Sequence, residues 1–131
     1  MPRLYKVVYY PTAIDDVNNI LNYISIDNPP AALELINKID NTISSLSQLP
    51  YKGVTPKDIH LKSKNYRMLI VDSYIVFYIV NEILSVIEIM RVLSSKQNYL
   101  SLLWPWRNTT VGVQRFLLPT FPSPSSTTLG L

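Results

Sequence analysis

Residues 66–93 read YRMLIVDSYIVFYIVNEILSVIEIMRVL. Three β-branched and aromatic stretches stand out: YRMLIV (66–71), YIVFYIV (74–80) and, running one residue short of the end, ILSVIEIMRV (83–92). The pairs Asp72-Ser73 and Asn81-Glu82 separate them, and each pair suits a two-residue hairpin turn, so the run predicts an antiparallel three-stranded meander. With both turns of that length, Val71 faces Tyr74 and Val80 faces Ile83. Arg67, Tyr78 and Ser85 would then share a row, with Arg91 on the same face and its backbone roughly 20 Å from that of Arg67. Both faces of the middle strand are apolar, so neither face of the sheet can lie open to water over its whole area.

Toward the N-terminus, RLYKVVY (3–9) ends against Pro11 and predicts an opening strand. Thr12 and Asp15 have the spacing of a capping box, and Ile14, Val17, Leu21 and Ile24 form one apolar stripe of a first helix that ends near Asp27. Asn28 can cap a second helix with Pro29 and Pro30 in its first turn, where a missing N–H does no harm. Its inner face is Ala32, Ile36, Ile39, Ile43 and Leu46. Two stripes joined so closely describe a helical hairpin that must bury its seam against the sheet. Pro50, Gly53 and Pro56 interrupt the pattern, leaving residues 51–65 as a polar, basic connector. The fold class is therefore α+β: an antiparallel sheet of the N-terminal strand plus the meander, packed against the helical hairpin, with a short C-terminal helix. SSKQNYLSLLW (94–104), or a second protein, is expected over the other face of the sheet.

The chain has 131 residues, enough for one core, and residues 1–104 are assigned to one domain. Residues 105–131 hold four prolines, many Ser and Thr and no carboxylate. An irregular tail, inert or foreign to the domain, or else a partner-binding segment, is expected there. The absence of cysteine excludes disulfides and thiolate chemistry and fits a reducing cytoplasm. The first ten residues do not have the pattern of a secretory leader, and no apolar run is long enough to span a bilayer, so neither secretion nor a membrane partner is expected. Net charge is +3 but unevenly spread: residues 11–48 carry five carboxylates against one lysine, and residues 51–67 carry five cations against one carboxylate. The second stretch would attract a polyanion that the first would repel.

The order strand, helical hairpin, basic connector, meander and terminal helix resembles the RelE/ParE family of bacterial toxins over about residues 4–103. YPTAIDDVNNILNYISIDNP (10–29) is similar to the family's proline-led opening helix, SLSQLPYKG (45–53) to its Leu-x-x-x-Pro-x-x-Gly exit from the second helix, and IEIMRVL (87–93) to its most recognisable strand. The resemblance implies the toxin half of a type II toxin–antitoxin system, with a cognate antitoxin protein laid across its grooves and no cofactor. The family ending RVLH-x-x-R-D-Tyr/Trp stands here as RVLSSKQNY, retaining Arg91 and Tyr99 but placing Ser94, Gln97 and Asn98 where the family has His, Arg and Asp. The basic positions of the ribonuclease branch correspond to Arg67 and Leu69 on the second strand, Ile75 on the third and Lys96 after the fourth. Only part of that set survives.

Cleaving RNA through its 2′-hydroxyl needs a base, a cation over the phosphorane and an acid for the leaving oxygen. The catalytic candidates are Arg67, Arg91, Lys96 and Tyr99. His60, Lys62, Lys64, Arg67 and Arg91 are the candidates for binding nucleic acid or the antitoxin, because cations interleaved with aromatic rings suit either. The same lysines can equally be solvated loop residues, Arg67 can stack on Tyr78, and Arg91 can bind backbone or an antitoxin carboxylate. His60, the single histidine, cannot hold a metal alone. Three readings follow: a ParE-like toxin that binds DNA gyrase, a RelE-like ribosome-dependent mRNA endonuclease, and a degenerate member that binds antitoxin without poisoning anything. Arg91→Ala is expected to weaken toxicity or antitoxin binding while sparing the fold.

Overall fold

The computed structural model describes residues 3–103. The strand β1 (Lys6–Tyr9) is followed by α1 (Pro11–Ser25) and α2 (Pro29–Ser44), which runs on into a 3-10 turn at Ser45–Ser47. Next come a short helix α3 (Ile59–Ser63), the strands β2 (Tyr66–Val71), β3 (Tyr74–Asn81) and β4 (Val86–Ser94), and the helix α4 (Tyr99–Leu103). Residues up to Gln97 form one compact unit, and α4 belongs to the segment that follows. The tail expected at 105–131 lies outside the described residues.

The sheet has the order β1-β4-β3-β2, with β2, β3 and β4 forming the antiparallel meander. β1, however, pairs with β4 in parallel, making the sheet mixed rather than wholly antiparallel. Chain parity explains the direction. The two helices return the chain to the end where β1 began, as the hydrogen bond from Tyr5 N to Ser47 O (2.9 Å) shows, so β2 starts at that end and runs with β1. Two reversals later β4 does the same, and a parallel neighbour is the only geometry left.

The first hairpin turn is as expected: Val71 faces Tyr74, Arg67 faces Tyr78, and Asp72 takes the left-handed conformation (φ 54°). The second is longer. Asn81 pairs with Val86, and residues 82–85 form a loop closed by the Asn81 side chain accepting from Leu84 N (3.0 Å), by Ser85 at φ 56°, and by Arg3, which donates to Glu82 O and Ser85 Oγ. Ile83 and Leu84, read from the sequence as strand, are 94% and 68% exposed at its tip. A bulge between Phe77 and Tyr78 adds a further shift, pairing Phe77 with Arg91 and Tyr78 with Ile89. The expected row of Arg67, Tyr78 and Ser85 is thus broken. Arg91 falls on the row beside Tyr78, off the face that Tyr78 shares with Arg67.

Neither helix departs far from its sequence signals, but one cap differs. Asn28 Oδ1 accepts from Ala31 N (3.1 Å) above the two prolines, as expected. No capping box forms at α1: the helix begins at Pro11 with Tyr10 as its cap residue and no side-chain cap, and Thr12 Oγ1 donates instead to Met90 O (3.0 Å) on β4. The stripe of α1 is also rotated, with Ala13 fully buried and Val17 and Ile20 against the core while Ile14 is 47% exposed. In α2, Ala32, Ile39 and Ile43 are buried as read, and Ile36 partly so. Ala13, Val17, Ile20, Ile36, Ile39 and Ile43 meet Leu69, Val76, Tyr78, Ile87, Ile89 and Val92 of the sheet. At about 2 kcal/mol for each large aliphatic chain withdrawn from water, this seam is the main source of cohesion. Ile75, Phe77 and Leu93 are buried too, outside that helix-side cluster, and Tyr66 packs edge-on against Phe77 at 6.4 Å.

Candidate partner-binding site

The connector is more ordered than its polar sequence suggests. Asp58 Oδ1 accepts from His60 N (3.0 Å) and Leu61 N (3.1 Å) to cap α3, Leu61 is fully buried, and Val54 bridges Met68 at the outer edge of β2. Two apolar residues too far apart to show a period pin the segment.

Arg67 and Tyr78 buckle it to the sheet. Arg67 Nη2 donates to the carbonyls of Tyr51 (3.1 Å) and Gly53 (2.6 Å), Nη1 to Thr55 Oγ1 (3.3 Å), and the guanidinium lies 5.2 Å from the ring centre of Tyr51. The stacking partner of Arg67 is therefore Tyr51 rather than Tyr78. The Tyr78 hydroxyl is used otherwise, donating to Pro50 O (2.9 Å) and accepting from Gly53 N (3.0 Å). A side chain at position 53 has no room: a Cβ there would stand 2.6 Å from Met68 O and 2.7 Å from the Tyr78 hydroxyl.

Arg91 is held in a different way. Past the end of β1 the edge of β4 is free, and α1 supplies the side chains that complete it. Asp16 accepts from Arg91 Nε (2.7 Å) and Nη2 (2.9 Å) and from Val92 N (2.9 Å), a bidentate ion pair that also closes a strand edge. Burial works against the Arg91 charge, but the hydrogen bonds and charge of Asp16, with Tyr66 and Asp15, outweigh it and raise the pKa. Tyr66 nearby is also raised, by burial first, against the opposing pull of Arg91.

An open cleft of about 700 Å³ joins part of the sequence-predicted set: Lys62, Tyr66 and Arg67 line it with Tyr51, Ile79 and Ile83. Glu82 and Glu88 line it as well, so its field is mixed. Those two glutamates were missed because their place depends on the register of β4, where Glu88 faces Ile79, and on the length of the loop. His60 and Lys64 sit on and just after α3, and neither they nor Arg91 line this cleft. Lys96 lies in the turn after β4, where Gln97 Oε1 accepts from Ser94 N (2.9 Å), and Tyr99 opens α4. Among the described residues no group of three or more His, Cys, Asp or Glu could hold a metal, and no helix is long and apolar enough to cross a membrane.

Residues 7–99 match the model of the ParE toxin of the type II toxin–antitoxin system parDE. The chain belongs to that family, within the wider RelE/ParE group, and is the toxin component of a toxin–antitoxin pair with a cognate antitoxin as its partner. Among solved structures it is similar to a chain of the chromosomal ParDE system from P. aeruginosa, at TM-score 0.59 and 16% identity, covering 70% of this chain and 97% of that one. It is also similar to a chain of the RelBE2 toxin–antitoxin complex from Mycobacterium tuberculosis, at TM-score 0.49 and 20% identity, covering 70% and 98%. A search of curated proteins gave no significant match.

Proposed function

We propose that this toxin arrests bacterial growth by binding a protein target, DNA gyrase in the manner of the ParE branch, and that it does not cut RNA. The observation that supports this reading is the employment of both arginines by the fold. Arg91 is neutralised by Asp16, and both terminal nitrogens of Arg67 are engaged by the carbonyls of Tyr51 and Gly53 and the hydroxyl of Thr55, while its Nε is buried without an acceptor. A nuclease needs a cation free to meet the charge that develops on phosphorus, with a base and an acid converging on the same atoms. Here Arg91 does not line the cleft that holds Lys62, and that cleft also holds two glutamates. Cytoplasmic action follows from a gyrase target.

The test is induction of the full chain in a bacterium, following growth, the DNA-damage response and message integrity together. Growth arrest with induced DNA damage and intact mRNA is expected. Cuts at fixed codon positions in translated messages would establish the RelE-like endonuclease instead, and unimpeded growth at good expression would establish a degenerate member.

A further inference from the structure

Away from the cleft, the seam between α1 and α2 opens into a groove of about 240 Å³. Ile14, Val17 and Ile36 give it apolar walls, Asn18 and Asn37 contribute two amides, and Asp40 supplies a carboxylate. It is smaller than the roughly 300–1,000 Å³ of pockets that enclose whole small molecules, and suits a single side chain. An aliphatic stem that ends in a cation matches such a lining: methylenes against the isoleucines, the charged head on the carboxylate. Tyr9 donates its hydroxyl to Asp40 Oδ1 at 2.8 Å and so fixes the carboxylate's orientation, while neither ion pair among the described residues involves Asp40.

The surroundings point the same way. The hairpin as a whole is acidic: Asp15 on α1, Asp27 in the link and Glu34 on α2 are exposed outside the groove, and the single lysine, Lys38, is already turned onto Asp72 at 2.6 Å. Exposed apolar side chains stand at the groove: Ile14 in its wall is 47% exposed, and Leu33, one turn before Asn37 on α2, is 59% exposed. The hairpin's net negative charge would repel a polyanion or an anionic bilayer, whereas a basic segment with apolar residues beside its cation would gain from both the field and the groove.

We infer that the α1–α2 seam is a docking surface for a basic, amphipathic segment of another protein, anchored by an arginine laid along Ile14 and Ile36 with its guanidinium on Asp40. The surface goes beyond the choice of toxin target and does not rest on it. A planar fork with two donors exploits a carboxylate pinned at one oxygen better than an ammonium does.

The probe is an acetylated leucine–arginine–leucine tripeptide amide, titrated into the isotope-labelled full chain and followed by the backbone amide resonances of Asn18, Asn37 and Asp40 and the side-chain amides of Asn18 and Asn37. The control is the same peptide with neutral citrulline in place of arginine. The arginine peptide is expected to shift those resonances with roughly tenfold higher affinity than the citrulline peptide, and to weaken as salt rises. Asp40→Asn, an exposed and nearly isosteric change, should remove most of that preference while the remaining spectrum is unchanged. Equal binding of the two peptides, shifts confined to the Lys62 cleft, or no binding of either would overturn the inference. The comparison of the two peptides on the unaltered chain decides it even if the variant does not fold.

Discussion

Arg67 and Arg91 lie on adjoining rows of one sheet and are both half-buried, yet they are held by opposite means. Arg67 donates to two carbonyls and a hydroxyl, all neutral, and so binds the connector without losing its charge. Arg91 meets a carboxylate in bidentate fashion, and its charge is cancelled where it arises. The first arginine fastens a loop and still lends a positive field to the cleft beside Lys62. The second fastens α1 to β4 and lends almost none. In a toxin, that contrast separates what can attract a partner from what only keeps the scaffold in shape.

The contrast can be strained from either side. The largest effect is expected from unpairing the buried ion pair: Asp16→Ala leaves Arg91 uncompensated and Val92 N without its acceptor, and should cost about 3 kcal/mol in chemical denaturation. Arg91→Ala should be similarly damaging, so the expectation that it spares the fold gives way to one of clear destabilisation. Next is Gly53→Ala, where the added methyl meets the Met68 carbonyl and the Tyr78 hydroxyl, at a cost of about 2 kcal/mol measured the same way. Tyr78→Phe removes the link to Pro50 and strands the N–H of Gly53, for about 1–2 kcal/mol, and hydrogen exchange should speed up in residues 50–55 before it does in the helices.

A smaller effect is expected at high pH. Burial raises the pKa of both Tyr9 and Tyr66, with Asp40 adding to the shift at Tyr9. The unfolded chain therefore loses these protons first, so the stability they contribute is complete below about pH 10 and declines as pH rises above it. Tyr9→Phe with Tyr66→Phe should flatten the alkaline limb of a melting-temperature profile. An unchanged slope would remove both tyrosines from the account.

The meander, the helical hairpin, the Asn28 cap and the Asp72-Ser73 turn were legible because each is written in a few neighbouring residues. What was not legible depends on long-range geometry. The parallel pairing of β1 follows from the return of α2 to the start of that strand, and the bulge at Phe77 has no local signal. Ile83 and Leu84 look like strand because they are apolar, although the loop closes behind them on Ser85. The site shows the same division. Arg67 and Arg91 could be picked out by residue type, but Asp16, which settles what Arg91 does, lies 75 positions away on another element. Gly53 stands in the sequence as a breaker of pattern, and its close contact with Tyr78 exists only in three dimensions.

If Arg91 serves the scaffold alone, its charge is dispensable once its partner's is removed as well. The decisive measurement is therefore growth arrest together with thermal unfolding for the double variant Asp16→Asn/Arg91→Met, in which the amide oxygen can still accept from Val92 N and no charge is left unpaired. Stability well above that of either single alanine variant, with growth arrest retained, is the predicted result. A well-folded double variant that no longer arrests growth would contradict the account and return Arg91 to the toxin's working surface.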